Sequence, residues 1–456
     1  MFHGTFIHST SPGSIEIVHD GMLVVGPDGR IVHFLHDIPV GGTQTALDRL
    51  SIRASECHIS IISSDKSNPG FLIPGFVDAH NHAPQWAQRG LGRGLQILEW
   101  LDTVTFPNEA KFANKDYARK VYESCVNGSI KQGITTACYY GSLHGDATKI
   151  LADVCLEKGQ RAFIGKCNMD QNSPVYYTDV SADESLRVTE DFISHVRSRD
   201  PTFSQITPII TPRFAISCTR ELLKGLGEMA AVNEGLPIQT HFNEAESEIA
   251  ATLSLFPEFD NEADLYDHFG LLTNRTVLAH CCHMTPYEVE RLKALDCGVA
   301  HCPIANTTVG GGFMAAPIRE FLRQDIKVGL GTDSGGGFSS SILDAMRQAF
   351  IVSNAREMMT KGEDKSLSLE ECFYMATLGG ARVCGIDHEA GNFVVGKHFD
   401  ALHIRMASVE EDESDLASTG IETGDGMRTV FEKFMMTADD RNIANVYVRG
   451  NIIHSS

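Results

Sequence analysis

Four short segments of this 456-residue chain carry histidine or aspartate side chains that could bind one metal ion. His80 and His82 form a His-x-His pair, and side chains two residues apart on a strand project from the same face. His241, His280 and Asp333 each follow a short predicted strand. Three histidines and a carboxylate suit zinc or iron(II), and the fourth histidine could hold a bound water. Taken alone, however, the His-x-His pair is equally typical of two partly exposed loop histidines.

The elements that must position these side chains are short strands alternating with helical stretches from about residue 72 onward. This alternation predicts repeated β-α units on a parallel sheet, and eight of them predict a (β/α)8 barrel. The strand ends of such a barrel form one rim, so the five candidate ligands can meet there. The predicted strands cover residues 75–79, 134–139, 162–165, 206–212, 237–240, 276–279, 298–300 and 326–331.

The two ends of the chain have strand patterning but are each too short for a core of their own. We therefore predict a small β-sandwich built from residues 1–71 and 386–456, beside a barrel of residues 72–385. Other segments are predicted as a surface loop at 38–50, a strand at 393–395, a solvated acidic loop at 410–413 and flexible rim loops at 310–312 and 335–337.

Composition excludes several classes of function. The formal charge of −21, from 59 acidic and 38 basic residues, opposes binding to nucleic acid. No apolar run approaches the roughly 20 residues that span a bilayer, and the N-terminal residues lack the pattern of a signal peptide. The twelve cysteines include no C-x-x-C pair and are typical of a reducing compartment. These features predict a cytoplasmic protein that acts on a small molecule.

The segment from Pro74 to His82, followed by His241, His280 and Asp333, resembles the amidohydrolase superfamily. The resemblance covers nearly the whole chain, including residues 376–381 and 391–400. It implies a barrel flanked by a β-sandwich, in which a metal-activated water hydrolyses C–N bonds. The implied metal ligands are His80, His82, His241, His280 and Asp333.

The metal count and the proton shuttle follow from two further positions. Superfamily members with two metals use a carbamylated lysine at the end of the fourth strand, but Arg213 stands there, so the resemblance implies one Zn²⁺ or Fe²⁺ per chain. Lys166, at the end of the third strand, is typical of a pairing lysine. Glu244, three residues after His241, resembles the proton shuttle of the deaminase branch, although it could instead cap the next helix.

Within that branch, Gln85 and the Arg213-Phe214 pair match purine-binding positions, and residues 98–107 add to the match. The resemblance therefore implies a homodimeric enzyme that hydrolyses guanine to xanthine and ammonia. Arg213 offers fixed donors for a carbonyl oxygen such as guanine O6, although it could instead be a structural ion-pair partner. The implied catalytic residues are Glu244, Asp333 and His280. The implied substrate contacts are Gln85, Arg213, Phe214, His241, Glu244 and Asp333.

Some residues depart from the family pattern. Ile304 and Ala305 replace a more polar stretch after the seventh strand, which leaves open another purine, a pterin or a triazine as the substrate. Cys281, Cys282 and His283 are expected to pack or line the rim. A barrel that has lost catalysis and serves as a binding or scaffold protein is a further alternative, which the complete ligand set and Glu244 oppose.

Overall fold

The computed structural model describes residues 1–63, 69–233, 235–310, 314–409, 416 and 419–456. Its strands are β1 (Phe2–Ser11), β2 (Ser14–Val25), β3 (Ile31–Leu35), β4 (Ser60–Ile61), β5 (Gly70–Pro74), β6 (Phe76–His82), β7 (Ile134–Tyr140), β8 (Arg161–Gly165), β9 (Cys167–Asn168), β10 (Ile206–Pro208), β11 (Thr211–Pro212), β12 (Ile238–Phe242), β13 (Thr276–His280), β14 (Gly298–His301), β15 (Lys327–Leu330), β16 (Ala401–Arg405), β17 (Ile443–Val448) and β18 (Asn451–Ser455).

Its α-helices are α1 (Thr43–Arg49), α2 (Ile97–Trp100), α3 (Phe106–Glu109), α4 (Lys115–Lys131), α5 (Gly145–Lys158), α6 (Ala182–Arg199), α7 (Arg220–Val232), α8 (Glu246–Leu255), α9 (Glu262–His268), α10 (Pro286–Ala294), α11 (Pro303–Thr308), α12 (Ile318–Arg323), α13 (Ile342–Met359), α14 (Leu369–Tyr374), α15 (Gly380–Val383) and α16 (Met427–Thr437). Among the described residues, no helix combines the length and the apolar character that a bilayer crossing requires.

Strands from both ends of the chain share one eight-stranded sheet, in the order β18-β17-β16-β5-β1-β2-β3 with β4 beside β1. Aromatic packing joins the two ends: the Phe2 ring stacks on Phe399 at 4.4 Å between centroids and meets Tyr447 edge-on at 5.1 Å. These rings belong to a buried cluster, so burial of apolar surface holds the two ends together.

The central part of the chain contains parallel strands at all eight predicted places. They form two four-stranded sheets, in the orders β10-β8-β7-β6 and β12-β13-β14-β15. A parallel bridge between Ile210 and Ile238 links one pair of edges, and at the other pair the Asp333 amide donates to the His80 carbonyl oxygen over 2.9 Å. This mixed α/β arrangement is consistent with a closed barrel.

The structure differs from the sequence predictions in a few segments. Residues 43–49 form helix α1 within the predicted loop, because Ala46 and Leu47 bury apolar side chains against the end sheet. Residues 393–395 form no strand; Phe393 is buried, while Val394 and Val395 are exposed in a turn. The predicted fourth strand is split into β10 and β11. The loop predictions at 311–312 and 410–413 lie outside the described residues.

The helix starts follow the capping signals of the sequence. Thr285 with Glu288, and Ser368 with Glu371, form complete capping boxes at α10 and α14. Ser181 caps α6 by accepting a hydrogen bond from the Glu184 amide. These caps fix where each helix begins, and therefore how each loop approaches the strand ends.

Candidate active site

The five predicted ligands converge where the parallel strands end. His82 Nε2 lies 3.1 Å from His241 Nε2, and Asp333 Oδ1 lies 3.4 Å from Nε2 of both His80 and His82. The rings of His241 and His280 are stacked at 5.3 Å between centroids. The four histidines lie near the ends of β6, β12 and β13, and Asp333 follows the end of β15, so the parallel topology brings the five residues together.

The chemistry of this cluster fits a divalent cation. Donor atoms of His80, His82 and His241 lie within 4.8 Å of one another, and so do those of His80, His280 and Asp333. The Nε2 atoms of His80 and His280 are buried and form no hydrogen bond with any described residue. A buried imidazole nitrogen without a partner is costly, and a metal ion would satisfy it.

The protonation states suit the same role. Burial holds the pKa of His82 and His241 well below the ordinary value, so both imidazoles are neutral and have a free lone pair. Burial alone would raise the pKa of Asp333, but the neighbouring His80, His82 and His280 hold it well below the usual range. His82 and His241 therefore present neutral imidazoles next to the ionised carboxylate of Asp333.

Hydrogen bonds on the far side of two rings select the tautomer. His241 Nδ1 lies 2.6 Å from the Arg213 carbonyl oxygen, and His280 Nδ1 lies 2.8 Å from Asn306 Oδ1. Because both oxygens accept, Nδ1 must carry the proton, and Nε2 of each ring is left with its lone pair toward the cluster.

The backbone at the strand ends takes an unusual conformation. The φ angles of His280 and Asp333 are +75° and +43°, in the left-handed region that most residues avoid. Gly336 is required nearby, since a Cβ there would lie 2.4 Å from Asp333 Oδ2. Such strain persists where surrounding contacts hold it, and it is common at functional sites.

Asp78 joins the first and last of these parallel strands behind the ligands. Its carboxylate accepts from the Thr332 amide over 2.9 Å and from the Thr332 hydroxyl over 2.6 Å. Asn81 Nδ2 also donates to it, over 2.8 Å. These bonds hold β6 and the segment after β15 in register, which places His80 and His82 beside Asp333.

Glu244 is a buried carboxylate at the edge of the cluster. Its Oε2 lies 3.6 Å from His280 Nε2, and burial raises its pKa to about 7. The helix-capping alternative is not observed, because α8 begins at Glu246 after Ala245 and its first turn has no side-chain cap. A carboxyl group with this pKa can hold a proton and release it near neutral pH.

A cavity opens onto the cluster. Gln85, Arg213 and Phe214 lie on its wall, as the sequence predicts, together with apolar side chains that sequence reasoning missed. Arg213 also forms an ion pair, the alternative role that the sequence left open: its Nη1 lies 2.8 Å from Glu109 Oε2. The described lining residues are His82, Gln85, Ile97, Trp100, Leu101, Arg213, Phe214, His241, Glu244, Val309, Asp333 and Gly336.

The sequence matches the model of the Amidohydrolase family over residues 71–453. The chain belongs to the amidohydrolase family. Guanine deaminase from Rattus norvegicus is 40% identical over 450 residues, which cover 99% of this chain and 95% of the relative. A crystal structure of guanine deaminase from C. acetobutylicum with guanine bound in its active site superposes with a TM-score of 0.87 at 32% identity, covering 99% of both chains. The guanine deaminase structure from E. coli has a TM-score of 0.85 at 26% identity, covering 100% of this chain and 98% of that one.

The departures of this amidohydrolase from the family pattern lie away from the cavity wall. Ile304 and Ala305 are buried in α11, and neither is among the described residues that line the cavity. Cys281 is fully buried, while Cys282 and His283 line a separate surface groove with Met284.

Several residues of this amidohydrolase that position the site could not be predicted from the sequence. Glu109 and Asn306 act through spatial neighbours more than 20 residues away in the chain. Lys166 is a pairing lysine, as predicted: it binds Asp179, and it donates to Ser185 over 3.1 Å.

Proposed function

We propose that this amidohydrolase is a guanine deaminase, which hydrolyses guanine to xanthine and ammonia. The observation that carries the proposal is the combination, around one cavity, of a cluster that could hold a metal ion with Arg213 and Gln85. The likeness to curated guanine deaminases over almost the whole chain supports the same substrate.

The cavity suits a flat purine. Arg213 has N–H donors for guanine O6, and Gln85 can interact with the neighbouring ring edge. The Phe214 ring and the apolar side chains of Trp100 and Leu101 can cover the faces of a base. Adenine would bring an amino group to Arg213 instead of an oxygen, and two donors would then face each other. His241 and Asp333 complete the contacts on the side of the amino group that leaves.

The residues present fit one Zn²⁺ ion, held by His80, His82, His241 and Asp333 with His280 beside it. Fe²⁺ accepts the same nitrogen and oxygen ligands and is the alternative metal. A bridging lysine is absent at the fourth strand end, where Arg213 stands, and this favours one metal per chain. When bound, such an ion lowers the pKa of water from about 15.7 to about 7.

The protein groups then move protons. Asp333 and His280 orient the attacking water, and Asp333 accepts its proton. Glu244 donates a proton to guanine N3 as the water oxygen bonds to C2. As the C2–N bond breaks, the proton on Asp333 passes to the leaving amino group with the help of Glu244, and Glu244 takes the remaining hydroxyl proton from C2. Ammonia and xanthine are then the products, and both carboxyl groups return to their starting states.

We further propose that the parallel strands close a (β/α)8 barrel over residues 72–385, flanked by a β-sandwich of residues 1–71 and 386–456.

All twelve cysteines are unpaired, which suits the reducing cytoplasm. The family resemblance implies a homodimer, which light scattering after size exclusion would test.

The decisive experiment combines guanine turnover with elemental analysis on one sample. We expect ammonia release from guanine and about one zinc or iron per chain. A panel with adenine, 8-oxoguanine, a pterin and a triazine separates this proposal from a related aminohydrolase. Faster turnover of another heterocycle would identify a different substrate, and no turnover with no bound metal would favour the scaffold alternative.

A further inference from the structure

Glu109 is a buried carboxylate that joins the two polar side chains proposed to bind the base. It lies at the end of α3, and its side chain is 1% exposed. Oε2 accepts from Arg213 Nη1 over 2.8 Å, and Oε1 accepts from Arg213 Nη2 over 3.2 Å. Oε1 also accepts from Gln85 Nε2 over 2.9 Å. One carboxylate therefore holds both Arg213 and Gln85.

The lone pairs of Glu109 are fully used inside the protein. The fourth bond comes from the Tyr177 hydroxyl, which donates to Oε2 over 2.7 Å. A carboxylate has about four acceptor positions, and here all four are occupied. Glu109 also does not line the cavity, so it acts on a substrate only through the residues that it holds.

This contact decides which way the Gln85 amide is turned. A carboxylate can only accept, so the group of Gln85 that faces Glu109 must be the NH₂ group. Its Oε1 has one long contact, 3.4 Å from Gln88 Nε2, and so can still accept from a ligand. Gly335 leaves room for this oxygen, because a Cβ there would lie 2.2 Å from it.

The same contact orients Arg213. The bidentate pairing with Glu109 uses two of the five guanidinium N–H groups and fixes the plane of the group. Nη1 also contacts Cys167 Sγ and Met169 Sδ, both at 3.9 Å, so the remaining N–H groups on Nε and Nη2 can donate to a ligand. Glu109 therefore fixes two hydrogen-bonding groups on the cavity wall, a donor at Arg213 and an acceptor at Gln85.

From this geometry we propose that Glu109 is a positioning residue that sets specificity for the 6-oxo, N1–H edge of a purine. This inference rests on the proposed function. Guanine presents an acceptor at O6 and a donor at N1, which complement Arg213 and the Gln85 oxygen. 2,6-Diaminopurine keeps the reacting 2-amino group and N3, but it presents a donor at position 6 and an acceptor at N1. Glu109 prevents Gln85 from turning to accommodate that reversed pattern.

The test compares kcat/KM for guanine and for 2,6-diaminopurine. In Glu109→Gln, the new amide can donate to the Gln85 oxygen, so Gln85 can turn over. We expect the guanine preference to fall at least about tenfold, mainly through a higher KM for guanine. Glu109→Asp keeps the charge but is too short to hold both partners, and we expect a loss in the same direction. Tyr177→Phe removes a bond to the same carboxylate without touching Arg213 or Gln85, and should keep the preference.

The outcomes separate the two proposals. If the wild-type protein releases no ammonia from guanine, the proposed function fails. If it does, and a folded Glu109 variant keeps the wild-type preference, the role of Glu109 is rejected. If circular dichroism shows that neither variant folds, a crystal structure of the wild-type protein with guanine tests the role of Glu109 instead. The proposal is supported if guanine O6 contacts Arg213 and guanine N1 contacts Gln85 while both side chains are bound to Glu109. It is overturned if Arg213 or Gln85 is turned away from Glu109.

Discussion

Asn306 Oδ1 lies 2.8 Å from His280 Nδ1, on the side of the ring opposite the proposed metal cluster. Asn306 lies in α11, after the strand that follows His280, so the contact links the end of β13 to this helix. The amide nitrogen of the same side chain, Asn306 Nδ2, has no hydrogen-bond partner among the described residues. The amide oxygen is therefore the part of Asn306 that matters, and it fixes the tautomer of His280.

Asn306→Ala is expected to reduce activity or metal affinity about 10- to 100-fold, because the His280 ring loses its orienting acceptor. Asn306→Asp keeps an acceptor at the same place and should recover much of the loss. Metal titration and guanine turnover measure both effects. The control is Asn354→Ala, on α13, which removes an amide whose hydrogen bond, among the described residues, goes to the Phe350 carbonyl oxygen. Equal losses in the alanine and aspartate variants would contradict the orienting role.

Glu244→Gln is expected to lower kcat about 10²- to 10⁴-fold, the usual contribution of a general acid-base group. The amide is nearly the same size, so the fold and the metal content should stay as in the wild type. Steady-state kinetics and elemental analysis check the two parts separately. Full turnover in this variant would remove Glu244 from the mechanism.

Arg213→Ala is expected to raise KM for guanine and also to destabilise the protein. The pair with Glu109 is buried, and removing one partner leaves an uncompensated charge, at a cost of about 3–5 kcal/mol. Urea unfolding measures that cost. Arg119→Ala is the matched control, since its pairs with Glu123 and Glu157 are at the surface and contribute at most about 1 kcal/mol. Similar losses for the two variants would contradict a buried, functional pair.

The stability of the protein is expected to fall at acid pH partly through His301. Burial lowers the pKa of this histidine to about 3, and the nearby His280 contributes. In the unfolded chain the pKa is about 6.5, so below that pH the unfolded state binds a proton that the folded state does not. The contribution of His301 to the free energy of unfolding is therefore highest above about pH 6.5. It falls by up to about 1.4 kcal/mol per pH unit as the pH drops towards 3.

His301→Asn should make this pH dependence shallower. Urea unfolding of both proteins at several pH values between about 4 and 7 measures the slopes. A chelator in both samples removes the contribution of metal loss. Parallel slopes would show that His301 is not the responsible group.

Much of this protein can be predicted from the order of its residues alone. The alternation of short strands and helices locates the eight parallel strands, because side-chain periodicity reflects which faces are buried. The positions of the proposed ligands follow as well, since His82, His241 and His280 lie at strand ends, and parallel strands present those ends on one side. The family membership predicted from these motifs is confirmed by the match over residues 71–453.

Other features were decided only by the tertiary structure. The sequence leaves Arg213 open as either a base-binding residue or an ion-pair partner; the structure pairs it with Glu109, 104 residues away in the chain, on the wall of the cavity. Asn306, Glu109 and the Asp78–Thr332 contact carry no local sequence signal, because each depends on a neighbour brought close by folding. Periodicity and caps record which face of an element is buried, whereas a hydrogen bond between distant loops depends on how those elements pack.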